Sequence, residues 1–212
     1  MMALFLLCTA QVFTQVARTG VITELTGTVE VKGANQRSFY PAKMGDPLTM
    51  DTMVSTGFRS TALITVGSSV LTVRPLTRLS LAEISAAENT ETINVNLQSG
   101  RVRVDVKPPA GRQTFMSVQS PSATASVRGT SFEFDTQTLT VMEGTVAFQG
   151  SHGKVILVTA GNTSEINADG KAEDTNTAEL MFPPLAGSAS SPRHSKASGN
   201  SVLVGGFRFT VK

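Results

Sequence analysis

Two histidines and one cysteine are this chain's whole supply of imidazole and thiol, and a catalytic centre needs such a group with a positioned partner. His152 lies in the glycine-flanked turn Gly150-Ser151-His152-Gly153, and His194 lies in a Pro- and Ser-rich stretch. Neither position suits a triad. Asp46 and Asp51 could pair as carboxylates or bind a cation, but an aspartate in Gly45-Asp46-Pro47 is the type that hydrogen-bonds its own turn. Asn167-Ala168-Asp169-Gly170 opens like a calcium loop, yet no glutamate follows where the bidentate ligand belongs, so it reads as a turn. The expectation is a chain with no catalytic residue, no metal and no cofactor.

Arg128 and Glu143 are the charges of most interest, because each stands beside a glycine in a repeated pattern. If their strands are neighbours in one sheet, the two form a partly buried ion pair that locks two corners together. The competing reading leaves Arg128 exposed, gripping a carboxylate on a partner.

The elements that must position them are strands. Residues 121–150 read PSATASVRGTSFEFDTQTLTVMEGTVAFQG. Ala123, Ala125 and Val127 recur at period two before Gly129, and Phe132 and Phe134 continue the alternation after it, so a buried face persists through a bend. The same phrase of glycine, then apolar residues at period two, occurs at Gly27-Thr28-Val29-Glu30-Val31, Gly100-Arg101-Val102-Arg103-Val104 and Gly144-Thr145-Val146-Ala147-Phe148. Its unequal intervals exclude a regular short-period array. They fit a recurring corner device in one irregular domain.

Elsewhere Val21, Leu25, Val29 and Val31 are assigned to one face, and Ala62, Ile64 and Val66 with Val70–Val73 form a hairpin across Gly67-Ser68-Ser69. Ser85–Thr92 is polar and reads as a loop. Pro108-Pro109-Ala110-Gly111 must interrupt any ladder, because proline lacks the donor. Only Lys171–Met181 has weak helical character. The predicted fold is all-β: an irregular β-solenoid-like roll or β-sandwich of about a dozen short strands.

Forty per cent hydrophobic residues, a net charge of +2 spread along the chain, one tyrosine and no tryptophan give neither a basic stripe nor a stacking surface. That argues against nucleic-acid binding. Residues 1–17 open with Met1-Met2-Ala3-Leu4-Phe5-Leu6-Leu7-Cys8, too short to span a bilayer but suited to an export signal, although no Lys or Arg precedes Leu4. Cys8 admits a lipid anchor, which bulky Leu7 disfavours; removal of the signal leaves no cysteine. Residues 18–182 form the expected domain and 183–201 a Pro, Gly, Ser and Ala-rich linker. Residues 202–212 form a strand-like tail in which Phe207, Arg208 and Phe209 could meet a partner by strand addition, or dock on the parent sheet.

The landmarks from Gly27 to Gly161 resemble the extracytoplasmic domain of the FecR family. They are Gly45-Asp46 before Leu48, Ser55-Thr56-Gly57 before Ser60-Thr61-Ala62-Leu63, Gly100-Arg101-Val102, Val127-Arg128-Gly129-Thr130-Ser131-Phe132 and Val141-Met142-Glu143-Gly144-Thr145-Val146, in that order. The resemblance marks Gly100, Arg128, Gly129, Thr130, Phe132, Glu143 and Gly144 as family motif residues, with a structural role expected. In the family's regulators this all-β domain sits in the periplasm after one membrane span, relays the state of an outer-membrane transporter and controls a sigma factor through a cytoplasmic segment. Neither a basic cytoplasmic helix nor a spanning segment is found here. What the likeness implies is a stand-alone, exported, non-catalytic binding module of the periplasm or cell envelope. Its partner would be another envelope protein in signalling or assembly. The alternatives are a cell-wall glycan such as peptidoglycan, which the shortage of stacking aromatics disfavours, or a role as sensing partner in transporter-to-sigma-factor signalling.

Overall fold

Val, Ile and Leu alternating with Thr and Ser suit a pleated surface buried on one side, and the computed structural model turns that alternation into strands. It describes residues 19–86 and 89–173, with the backbone of 87, 174, 201–204 and 207–210. The chain divides into two units, Met1–Met181 and Phe182–Lys212.

In the first unit the strands are, in chain order, β1 (Gly20–Thr26), β2 (Val29–Lys32), β3 (Tyr40–Pro41), β4 (Pro47–Leu48), β5 (Met53–Thr56), β6 (Thr61–Val66), β7 (Ser69–Val73), β8 (Arg78–Ala87) and β9 (Thr90–Ser99). There follow β10 (Arg101–Val106), β11 (Gln113–Gln119), β12 (Ala123–Arg128), β13 (Ser131–Asp135), β14 (Thr138–Glu143), β15 (Thr145–Gly150), β16 (Ile156–Thr159), β17 (Thr163–Ile166) and β18 (Ala172–Asp174). They form two nine-stranded sheets, the first ordered β18-β17-β14-β13-β10-β7-β6-β1-β4 and the second β16-β15-β12-β11-β9-β8-β5-β2-β3. From β6 onward the chain lays strands two at a time in one sheet and then the other, β10 alone standing singly, so both sheets grow in the same direction and neither closes into a barrel. The described pairs are antiparallel except β9 with β11, which the crossing through β10 makes parallel. The architecture is therefore an all-β, solenoid-like sandwich with more strands than expected.

The core lies between the sheets. In β6 and β10 every second residue is buried: Ala62, Ile64 and Val66 in one, Val102, Val104 and Val106 in the other. Phe132, Phe134 and Phe148 are the largest fully buried side chains. Phe134 on the first sheet meets Phe148 on the second edge to face, with centroids 5.8 Å apart and planes at 80°, the geometry aromatic quadrupoles favour.

The repeated glycines mark the passages between sheets. Gly27 joins β1 to β2, Gly100 joins β9 to β10, Gly129 joins β12 to β13 and Gly144 joins β14 to β15. All four have positive φ. Each makes the turn from one sheet to the other in one or two residues.

Several expectations require correction. Ser85–Thr92 is no loop: β8 and β9 continue through it as a long hairpin pairing Ser85 with Thr92 and Ala86 with Glu91, with Ile84 and Ile93 buried. On β1 the buried residue is Ile22 rather than Val21, and a bulge between Ile22 and Glu24 shifts the pattern. Ala172–Asp174 is a strand where weak helix was read, and 175–181 lie outside the described residues. The expected export signal at 1–17 with Cys8, His194 and residues 183–200 of the linker also lie outside them.

In the second unit β19 (Ser201–Val204) and β20 (Phe207–Thr210) form an antiparallel hairpin, pairing Val202 with Phe209 and Leu203 with Arg208. The strand expected at Phe207–Phe209 thus finds a partner in the segment just before it.

Candidate functional site

Strands β11, β12, β15 and β16 lie side by side in the second sheet. Their inward residues, Met116, Val118, Ala125, Val127, Val146, Phe148 and Val158, are buried. The outward residues follow from the register: Phe115 opposite Arg128, Ser117 opposite Ser126, Ser126 opposite Ala147 and Ala147 opposite Leu157. Between the larger side chains of Phe115 and Arg128 on one side and Leu157 on the other, the floor is Ser126, Thr145 and Ala147. Small residues there leave a depression of about 410 Å³. Leu157 is 71% exposed and Val155, just before β16, is 53% exposed.

Arg128 does not pair with Glu143. The corner at Gly129 ends β12 in the second sheet while Glu143 ends β14 in the first, so the two motif charges occupy different sheets. The Arg128 guanidinium instead lies over the Phe115 ring, 4.0 Å from its centroid. This contact is worth about 0.5–1 kcal/mol at an exposed site. Among the described residues no carboxylate forms an ion pair with Arg128, so its charge remains available to a ligand.

The other motif residues, Glu143 apart, are built into the fold. Phe132 is in the core, Thr130 is buried with its methyl against the Gly144 corner, and Gly100 and Gly129 are corner positions. Glu143 is exposed. Of Phe207, Arg208 and Phe209 the backbone alone is described, in the hairpin of the second unit.

The residues considered for chemistry serve turns. Asp46 Oδ2 accepts from the Lys43 N–H at 2.8 Å, and Asn167 Oδ1 accepts from the N–H groups of Asp169 and Lys171 at 3.0 and 2.9 Å. Asp51 has a φ of 61°. His152 Nδ1 is 3.2 Å from its exposed neighbour Ser151 Oγ. Among the described residues no group of three or more His, Cys, Asp or Glu is arranged to hold a metal.

Sequence reasoning missed two polar features. Glu91 is buried at 8% exposure, and its Oε2 accepts from the Ser68 N–H at 3.2 Å, Ser68 Oγ at 3.1 Å and Thr114 Oγ1 at 3.4 Å. It ties the β6–β7 turn of the first sheet to β9 and β11 of the second, beside a cavity of about 240 Å³. Gly67 has no room for a Cβ against that carboxylate. Glu91→Ala should cost about 1–3 kcal/mol, the penalty of stranding buried donors. Unfolding in urea measures it, and a change below about 0.5 kcal/mol would contradict the assignment.

The second feature is a charged strip on the outer face of the first sheet. Arg74 bonds Glu133 at 2.9 Å, Arg101 bridges Glu133 and Asp135 at 3.4 and 3.3 Å, and Arg103 bonds Asp105 at 3.1 Å. Burial acts to raise the Asp105 carboxyl, but hydrogen bonds from Arg103 and Ser131 and the charges of Arg103 and Lys107 outweigh it. Its folded-state value is held below the ordinary one. Such a group contributes stability above the unfolded carboxylate value of about 4, and loses it as pH falls through the folded value. Asp105→Asn should therefore cost about 0.5–1 kcal/mol at neutral pH, with the gap closing in acid. Equal gaps in urea midpoint at about pH 7 and pH 3 would refute it.

Residues 52–147 match the model of the family described as FecR protein. No curated protein matches. Among solved structures, the chain is similar to two crystal structures of a candidate anti-sigma factor from Parabacteroides distasonis, both at 15% identity. One has a TM-score of 0.47 over 60% of this chain and 64% of that one, the other 0.46 over 57% and 58%. The chain thus spans less than two thirds of either solved chain.

Proposed function

With residues 52–147 a FecR-family domain, we propose that the chain is a non-catalytic binding module of the bacterial cell envelope, which recognises another envelope protein in signalling or assembly. The FecR family is envelope-associated and regulatory, and its members work with other proteins. Among the described residues no helix is long and apolar enough to cross a membrane.

One observation carries the reading to a place on the molecule. Arg128 is exposed, braced on Phe115 and without an ion-pair partner among the described residues, at the rim of the depression that Leu157 closes on its other side. A cation fixed beside apolar surface suits a carboxylate flanked by an aliphatic or aromatic group. Protein interfaces favour arginine and aromatic anchors of this kind. Export to the periplasm belongs to the same proposal, as does the finer possibility that the partner is a transporter whose state is relayed to a sigma factor.

Affinity capture from envelope extract with the full chain tests it. The wild type should retain a defined protein partner that Arg128→Ala loses by at least about tenfold, since truncating an interface arginine commonly costs above 1 kcal/mol. An unchanged set of captured proteins would refute the site. Sedimentation with cell-wall sacculi, with no protein captured, would replace the protein partner by a glycan.

A further inference from the structure

A sheet edge leaves a row of backbone donors and acceptors open to another strand, and natural sheets protect such rows with short strands, prolines or charges. The four edges of this sandwich are unequal. β3 and β4 are two residues long and contain Pro41 and Pro47, and three-residue β18 carries Glu173 and Asp174. β16, Ile156-Leu157-Val158-Thr159, has neither a proline nor a charge.

The register shows which backbone groups are open. The Ala160 N–H donates to the Gly144 carbonyl at 2.9 Å, and β16 pairs Val158 with Val146 and Ile156 with Phe148. In an antiparallel ladder, bonded pairs alternate with unbonded ones. Stepping back by two from Ala160 makes Val158 and Ile156 the residues bonded to β15. The N–H and C=O of Leu157 and the N–H of Thr159 therefore point away from it and no described strand pairs with them, while the Thr159 carbonyl accepts from the Asn162 N–H at 3.1 Å. The exposed side chains of Leu157 and Val155 stand on this same edge.

Charge identifies the occupant. Exposed Lys154 stands two residues before the strand, and among the described residues it has no ion-pair partner; Arg128 adds a second free cation beyond the Ala147 floor. Of the other charges at this end, Lys171 lies 3.8 Å from Asp169, Glu173 on neighbouring β18 accepts from Asn167 Nδ2, and Glu143 stands at the opposite end of β16, past the Gly144 corner.

We propose that β16 is a strand-addition site for an extended acidic segment of another protein. The segment's backbone pairs with the N–H and C=O of Leu157 and with the N–H of Thr159, an apolar side chain covers Leu157, and a carboxylate meets Lys154. The proposal rests on the protein-binding reading and specifies its partner.

Fluorescence anisotropy on the full chain tests it with a labelled octapeptide of alternating Val and Glu. The peptide should bind. Its backbone N-methylated form and a Val/Lys octapeptide should bind at least about tenfold more weakly. Leu157→Lys should weaken the Val/Glu peptide to a similar degree, and Lys154→Glu should transfer the preference to the Val/Lys peptide. Absence of binding, or binding indifferent to N-methylation and to Leu157→Lys, would overturn the proposal. Dimers in sedimentation velocity that Leu157→Lys dissociates would assign the edge to a second copy and overturn it equally. Failure of the peptide while Arg128-dependent capture persists removes the strand-addition site and leaves the module reading standing.

Discussion

Gly100→Ala should destabilise the protein by about 2–5 kcal/mol, and Gly129→Ala by only about 1–2 kcal/mol. Both glycines have positive φ, 85° and 64°, where an L side chain costs about 1–2 kcal/mol. They differ in what a Cβ would meet. At Gly100 the obstruction includes backbone, with the Leu76 carbonyl oxygen 2.7 Å away and the Thr77 backbone nearer still; at Gly129 only the Pro108 ring is close, at 3.3 Å. Backbone cannot rotate aside. Thr77 is itself fixed, because its Oγ1 donates to the Arg101 carbonyl at 3.0 Å and accepts from the Arg101 N–H at 2.9 Å. Overpacking of that kind adds about 1–3 kcal/mol. Urea unfolding of both variants measures the difference, and equal losses would show that the corners are not packed against their neighbours.

Phe134→Ala should cost about 3–5 kcal/mol, a large share of the ~5–15 kcal/mol typical of a folded domain. Phe134 is fully buried and forms the edge-to-face contact that spans the two sheets. The pair itself contributes about 0.5–1.5 kcal/mol beyond its buried area. Phe148→Ala should accordingly cost less in the Phe134→Ala background than in the wild type. Strict additivity, or a single-variant loss below about 1.5 kcal/mol, would contradict a core held across that contact.

The parts of this fold that were legible in the sequence are those dictated by neighbouring residues. The hairpin of β6 and β7, the break at Pro108–Gly111 and the corners at Gly27, Gly100, Gly129 and Gly144 follow from period-two burial and turn residues, and they stand where read. The β8–β9 hairpin was missed because Ser85–Thr92 alternates small polar residues with few apolar ones. Its inward face is completed by a buried glutamate whose donors come from β11 and from the turn after β6. Nothing local announces such a partner.

The supposed Arg128–Glu143 pair failed for a related reason. Each motif glycine carries the chain to the other sheet, so two residues in equivalent places beside successive motif glycines need not share one. Glu143 lies next to Gly144 just as Arg128 lies next to Gly129, yet they end strands of opposite sheets. Arg128 was legible as a charge beside a motif glycine. Its brace was not, because Phe115 is brought opposite it only by the β11–β12 register. Leu157 lies in the apolar run Val155–Val158, and the position of β16 at a sheet edge, with Leu157 on its outward face, exposes it.

These placements divide the motif between residues that fold the sandwich and two exposed charges, Arg128 and Glu143, and the stability of Arg128→Ala tests that division most directly. In urea unfolding at neutral pH the variant should lie within about 1 kcal/mol of the wild type, the worth of an exposed cation over an aromatic ring. A loss of about 3–5 kcal/mol, the cost of breaking a buried ion pair, would make Arg128 part of the scaffold and contradict the account.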